Sequence, residues 1–139
     1  MDIQVKLLDG VQFSAGTRGH TIICDQPLES GGADGGMTPP ELLLASLGTC
    51  AAYYAVQYLK FQRIPSEGLA VRVEADKAKD PPRLGAFRIF VDHPAAAEDK
   101  HREGLRRAVE KCLIHHTLLH APSIEIAVAA PALALKLAL

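Results

Sequence analysis

The chain has 139 residues, enough for one domain with a buried core, and carries 15 basic against 16 acidic side chains. A formal charge of −1, no Trp and 5% aromatic residues leave no footprint for nucleic acid, an anionic lipid surface or a base-stacking face. Three cysteines, at 24, 50 and 112, are too few and scattered for a secreted disulfide scaffold.

The start MDIQVKLLDG lacks a basic segment followed by an apolar one, so no signal peptide is read and a cytoplasmic chain is expected. Residues 3–8 (IQVKLL), 11–15 (VQFSA) and 20–25 (HTIICD) read as short strands. Asp9-Gly10 is a hairpin signal between the first two, and Arg18-Gly19 marks the next turn. QPLESGGADGGMTPP follows and reads as a flexible connection with room to line a pocket. It matches neither of the glycine-rich phosphate-binding patterns, and no parallel crossover surrounds it. It ends on a helix start: Thr38 can cap, prolines are tolerated in a first turn, and Glu41 complements the dipole.

That helix is predicted from Pro39 or Pro40 to about Arg63, where Ile64-Pro65 stops it. Apolar positions nearly encircle it over 42–56, which predicts a central helix buried on most sides. Gly48 costs about 1 kcal/mol relative to Ala and predicts close approach of another backbone. The 18 uncharged residues between Glu41 and Lys60 touch the lower limit for a membrane span. Ser46, Thr49, Gln57 and three tyrosines within that run, and the lack of a second one, favour a core helix instead.

LAVRVEADK and GAFRIFVDH alternate apolar and polar residues across a KDPPR turn, a β-hairpin pattern. Residues 97–113 read as one amphipathic helix, acidic at Glu98 and Asp99 and basic at Arg106, Arg107 and Lys111. HHTLLHAP reads as a connection, IEIAVAA (124–130) as a closing strand, and PALALKLAL as an apolar tail suited to a partner subunit. The order is α+β with largely antiparallel pairing, in a single domain.

Taken alone, Cys50 in an uncharged helix is a small core hydrophobe with an inert thiol. It becomes a nucleophile only where a cation or donor stabilises its thiolate, and Arg18 and Arg83 are the distant candidates. Cys112, at the end of the second helix, faces the negative end of the dipole, which raises its pKa. That makes it the poorer nucleophile and suits a resolving role, beside the plainer reading of a core residue. Cys24 reads as structural. Cys112, His115, His116 and His120 are all ligand types, but no second Cys/His pair with ligand spacing accompanies them, so no metal site is expected. Ser46 lies in ELLLASLGTC, not in a G-x-S-x-G elbow.

The stretch MTPPELLLASLGTC, ending at Cys50 and followed by AAYYAVQYLKFQR, strongly resembles the central helix of the OsmC/Ohr family. LRRAVEKCLIHHTL resembles its second cysteine segment, and PPRLGAFRIFV its hairpin. The resemblance covers nearly the whole chain. It implies the OsmC-like fold, antiparallel sheets around a long buried helix, in an intertwined homodimer with active sites at the subunit interface.

It also implies thiol peroxidase chemistry on organic hydroperoxides or hydrogen peroxide. Cys50 is then the peroxidatic thiol and Cys112 the resolving one, with Glu41 and Arg18 as activators. An external dithiol serves as reductant, with no cofactor, metal, nucleic acid or membrane. One departure stands out. The Ohr branch carries its glutamate ten residues before the cysteine, where this chain has Pro40; Glu41 stands nine before, about 100° around the helix. The wording is closer to an OsmC-like branch. The competing readings are a thiol-bearing redox-sensing or small-ligand-binding module without turnover, and a metal-binding protein using Cys112 and its histidines.

Overall fold

The computed structural model describes residues 1–128. Strands β1 (Gln4–Asp9), β2 (Gln12–Thr17) and β3 (His20–Cys24) form an antiparallel meander in that order. Arg18 and Gly19, at φ 51° and 80°, make the second turn, a left-handed pair whose twist matches the strands it joins. The register places Val5, Leu7, Phe13, Ala15 and Ile22 on one face and Gln4, Lys6, Ser14 and Thr21 on the other. Val5 and Leu7 are each 62% exposed, so within one chain much of the apolar face is open.

The glycine-rich stretch is a built loop rather than a flexible connection. Its centre is Asp25, 1% exposed, whose carboxylate accepts hydrogen bonds from four donors. They are the backbone N–H groups of Gln26 (2.8 Å), Ala33 (3.2 Å) and Gly35 (3.0 Å) and the Gln12 amide (3.1 Å). These bonds outweigh the effect of burial and hold the carboxyl below its ordinary value. A Cβ on Gly32 would collide with the Gln26 carbonyl, and one on Gly36 with the Ile23 carbonyl. Backbone thus packs on backbone there. The loop does line a small cavity with Gln12 and Asp25.

Helix α1 (Pro39–Phe61) begins as expected, with Thr38 at its cap. The Glu41 carboxylate accepts from both the N–H (2.8 Å) and the hydroxyl (2.9 Å) of Thr38. Its stop is more specific than Ile64-Pro65. Arg63 turns left-handed at φ 58°, and the N–H groups of Arg63 and Ile64 bond the carbonyls of Lys60 and Leu59. By length and composition α1 could cross a bilayer. Here Leu47, Ala51, Ala55 and Leu59, spaced by four, form its buried face, while Ser46, Thr49, Tyr53 and Gln57 are exposed. Burial on most sides is therefore not met within one chain. The close neighbour of Gly48 is a side chain, not a backbone: an added Cβ would lie 3.2 Å from Val73 Cγ2.

Strands β4 (Ala70–Lys79) and β5 (Pro82–Asp92) form the second antiparallel sheet. Val71, Val73, Phe87, Ile89 and Val91 share one face by register, and Val71, Ile89 and Val91 pack on the core of α1. Arg72, Glu74, Asp76 and Arg88 pair on the outer side. Past a short 3-10 turn, α2 (Asp99–Val109) lays Leu105 and Val109 on Ala51, Ala55 and Leu59.

The single helix expected over 97–113 is broken. It stops at Val109, and α3 (Leu113–Leu119) takes up the segment read as a connection, because Cys112 adopts an extended ψ of 127°. The closing strand is not formed over 121–128. Ile124, Ile126 and Val128 are 83–95% exposed, an alternating pattern that pairs with neither sheet. Residues 129–139, with the end of that strand and PALALKLAL, lie outside the described residues.

Candidate functional site

The broken second helix brings two thiols together. Cys50 sits half-buried on α1 beside Ala51 of its buried face, and Cys112, 0% exposed, caps α3 from below. Both are free thiols, and Cys50 stands near enough to Cys112 to raise its pKa. The fold thus closes a gap of 62 positions.

Burial pushes the Cys112 thiol above its ordinary 9.0, and the neighbouring Cys50 raises it further. The backbone N–H groups of His115, 3.4 Å from Sγ, and of Ile114 oppose that rise. This corrects the helix-dipole argument. Cys112 stands at a helix start, whose dipole favours the thiolate, and the upward shift comes from desolvation instead.

The other expected site residues are placed elsewhere within the chain. Glu41 is engaged by Thr38, nine residues or about 13 Å along the axis from Cys50, and those hydrogen bonds hold its carboxyl below the ordinary value. Arg18 lies in the β2–β3 turn, lining a shallow polar depression with Lys6 and His20. Arg83 donates to the carbonyls of Asp80 and Pro81 in its own hairpin turn. Cys24 is buried at the end of β3, where it bridges to the backbone of Met37.

His115, His116 and His120 stack along α3, at centroid separations of 5.8 and 6.2 Å. His115 and His120 each turn Nδ1 to a backbone carbonyl. Among the described residues no three His, Cys, Asp or Glu side chains form a group able to hold a metal ion.

Two cavities of about 580 and 600 Å³ share Phe87, Ile89 and His115 in their linings, and neither lining includes Cys50 or Cys112. The first is apolar, closed by Leu43, Leu47, Leu84 and Leu118. The second runs out to Arg102, Glu103 and Arg106 on α2. Leu47, one helical turn before Cys50, lines the first. A half-buried thiol and a buried thiol beside it can form a sulfenic acid and a disulfide, and the cavity reached through Leu47 and His115, each three residues from one of the cysteines, can hold an apolar molecule.

Two contacts escaped the sequence reading. Asp25 as a loop centre had a local signal, an acceptor followed by a run of glycines with bare N–H groups. Tyr58 and His101, hydrogen-bonded at 2.9 Å across 43 positions, had none.

A search among curated proteins finds no match. Solved structures share the fold at low identity. A protein of Psychrobacter arcticus assigned to an osmotic stress and detoxification response is 21% identical, with a TM-score of 0.75 over 83% of this chain and 85% of that one. An OsmC-like protein of Mycoplasma pneumoniae is 18% identical, with a TM-score of 0.69 over 86% and 87%. An organic hydroperoxide resistance protein of Legionella pneumophila is also 18% identical, with a TM-score of 0.65 over 85% and 89%. The family description of OsmC-like proteins matches residues 31–127, a span holding both α1 with Cys50 and the α2–α3 break with Cys112. The chain belongs to the OsmC-like protein family.

Proposed function

We propose that this protein is a thiol peroxidase that reduces organic hydroperoxides. The observation that carries the reading is the Cys50–Cys112 pair, a half-buried thiol neighbouring a fully buried one. The Cys50 thiolate attacks one oxygen of the hydroperoxide. The O–O bond breaks, the alkoxide leaves and takes up a proton as the alcohol, and Cys50 becomes a sulfenic acid. Cys112 then attacks that sulfur, water leaves, and the two cysteines form a disulfide. An external dithiol returns the pair to thiols by exchange, which suits a reducing compartment such as the cytoplasm. A structural relative named for organic hydroperoxide resistance agrees with this choice of substrate.

The working unit of the proposal is a homodimer with active sites at the interface. Its support is the open apolar face of the β1–β3 sheet and the uncovered stripe of α1 at Ser46, Thr49, Tyr53 and Gln57. Within that unit Arg18 serves as activator of Cys50 across the interface, and Glu41 orients it.

Mass spectrometry of protein treated with a small excess of tert-butyl hydroperoxide tests the chemistry. Wild type is expected to gain a Cys50–Cys112 disulfide, and Cys112→Ser to stop at Cys50 sulfenic or higher acids. A Cys50 that remains a thiol defeats the peroxidase reading. It would leave a binding or redox-sensing module, for which the 580 Å³ apolar cavity offers a ligand site.

A further inference from the structure

We propose that Tyr58 and His101 are positioning residues for disulfide formation, a strut that sets the reach of Cys112 to Cys50; the kinetic half of this rests on the peroxidase reading above. No covalent link joins Cys112 to Cys50 in the dithiol form. Cys112 follows α2 by three residues, so its place is decided by how α2 is docked on α1.

The apolar part of that docking is narrow. From α2 only Leu105 and Val109 are buried, against Ala51, Ala55 and Leu59; of these Leu59 alone is a large side chain, and the two alanines offer little relief against a slide along the axis. The polar part supplies the missing register. Tyr58 Oη is hydrogen-bonded to His101 Nδ1 at 2.9 Å, from one helix to the other and partly out of water. The imidazole, 14% exposed, has its other nitrogen 3.6 Å from the Glu98 carboxylate at the α2 cap. Each ring atom able to bond thus faces a partner, which limits rotation of the imidazole.

Gly104 completes the device. A Cβ there would fall on the Tyr58 ring and hydroxyl, so the phenol lies directly on the α2 backbone one turn from His101. A hydrogen bond beside a steric notch fixes both the height and the rotation of α2. Cys112 then enters the space beside Cys50 rather than above or below it. Thiol attack on sulfur depends on this alignment, and displacements of about 1 Å can cost a large share of the rate.

Two readouts test the strut. In rapid-quench mass spectrometry with tert-butyl hydroperoxide, Tyr58→Phe and His101→Leu are expected to leave formation of the Cys50 sulfenic acid unchanged. Its conversion to the disulfide should slow by about fivefold, the size of one modest hydrogen bond. His101→Asn, whose amide places a polar atom near the Nδ1 position, is expected to recover most of that rate.

In a glutathione redox titration without peroxide, the same variants should shift the Cys50–Cys112 disulfide equilibrium toward the dithiol by a similar factor. A loss of overall stability alone would not separate the two chemical steps in this way. Wild-type behaviour of both Tyr58→Phe and His101→Leu in both assays overturns the strut. Should wild-type Cys50 ignore peroxide while the glutathione equilibrium moves in the variants, the strut stands and the peroxidase reading falls.

Discussion

Cys50 and Cys112 differ by their surroundings rather than by anything their neighbours in the chain display. Desolvation keeps Cys112 protonated above its ordinary 9.0, while Cys50 keeps a path to solvent. Iodoacetamide at pH 8 is therefore expected to label Cys50 well before Cys112, as peptide mapping over time would record. Faster labelling of Cys112 would mean that its burial does not persist in solution. Because the folded thiol titrates above the unfolded one, the stability it contributes is complete below about pH 9 and lost as pH rises through the raised value.

Asp25 works in the opposite direction. Its carboxyl is held below 3.8, so its contribution is complete above that pH and lost as pH falls through the lowered value. Asp25→Asn replaces an acceptor among four donors with a group that is half donor. Denaturant melts of wild type and variant should be well separated at pH 7 and converge below pH 4. Parallel curves across that range would show that the charge does not hold the loop.

At the level of elements, the helix start at Thr38-Pro39-Pro40-Glu41, the β4–β5 hairpin and the three-stranded meander were all legible. Each is written in short-range chemistry: a cap, an alternation, a turn. The break between α2 and α3 was not. Residues 97–113 keep a helical pattern throughout, and what interrupts it is the seating of Cys112 under α1, a contact between distant segments. The docking of α2 makes a direct claim on energetics. Leu105→Ala, at 2% exposure, should destabilise by about 2–5 kcal/mol. Leu113→Ala, at 64%, should stay within about 0.5 kcal/mol. Urea titration checks both, and equal effects would contradict the placement of α2 as the wall of the core.

For the whole molecule, the open face of Val5, Leu7 and Ile22 is more apolar surface than one chain covers. Sedimentation equilibrium is expected to give twice 14.9 kDa. Leu7→Asp, which puts a charge into that face, should shift the protein to the single-chain mass. A wild type that sediments as one chain would remove the interface on which the assignments of Arg18 and Glu41 depend.

By itself, the sequence determined the α+β class, the antiparallel hairpins, the capped apolar helix and, through two matching segments, the family. These rest on local propensities and on periodicity, which neighbouring residues carry between them. Tertiary structure decided the rest. It brought Cys112 to Cys50, turned Cys112 from a helix end into a helix start, and joined Tyr58 to His101 over Gly104. Each of these depends on packing between segments far apart in the chain. That is information held by shape and burial, which no window of sequence contains.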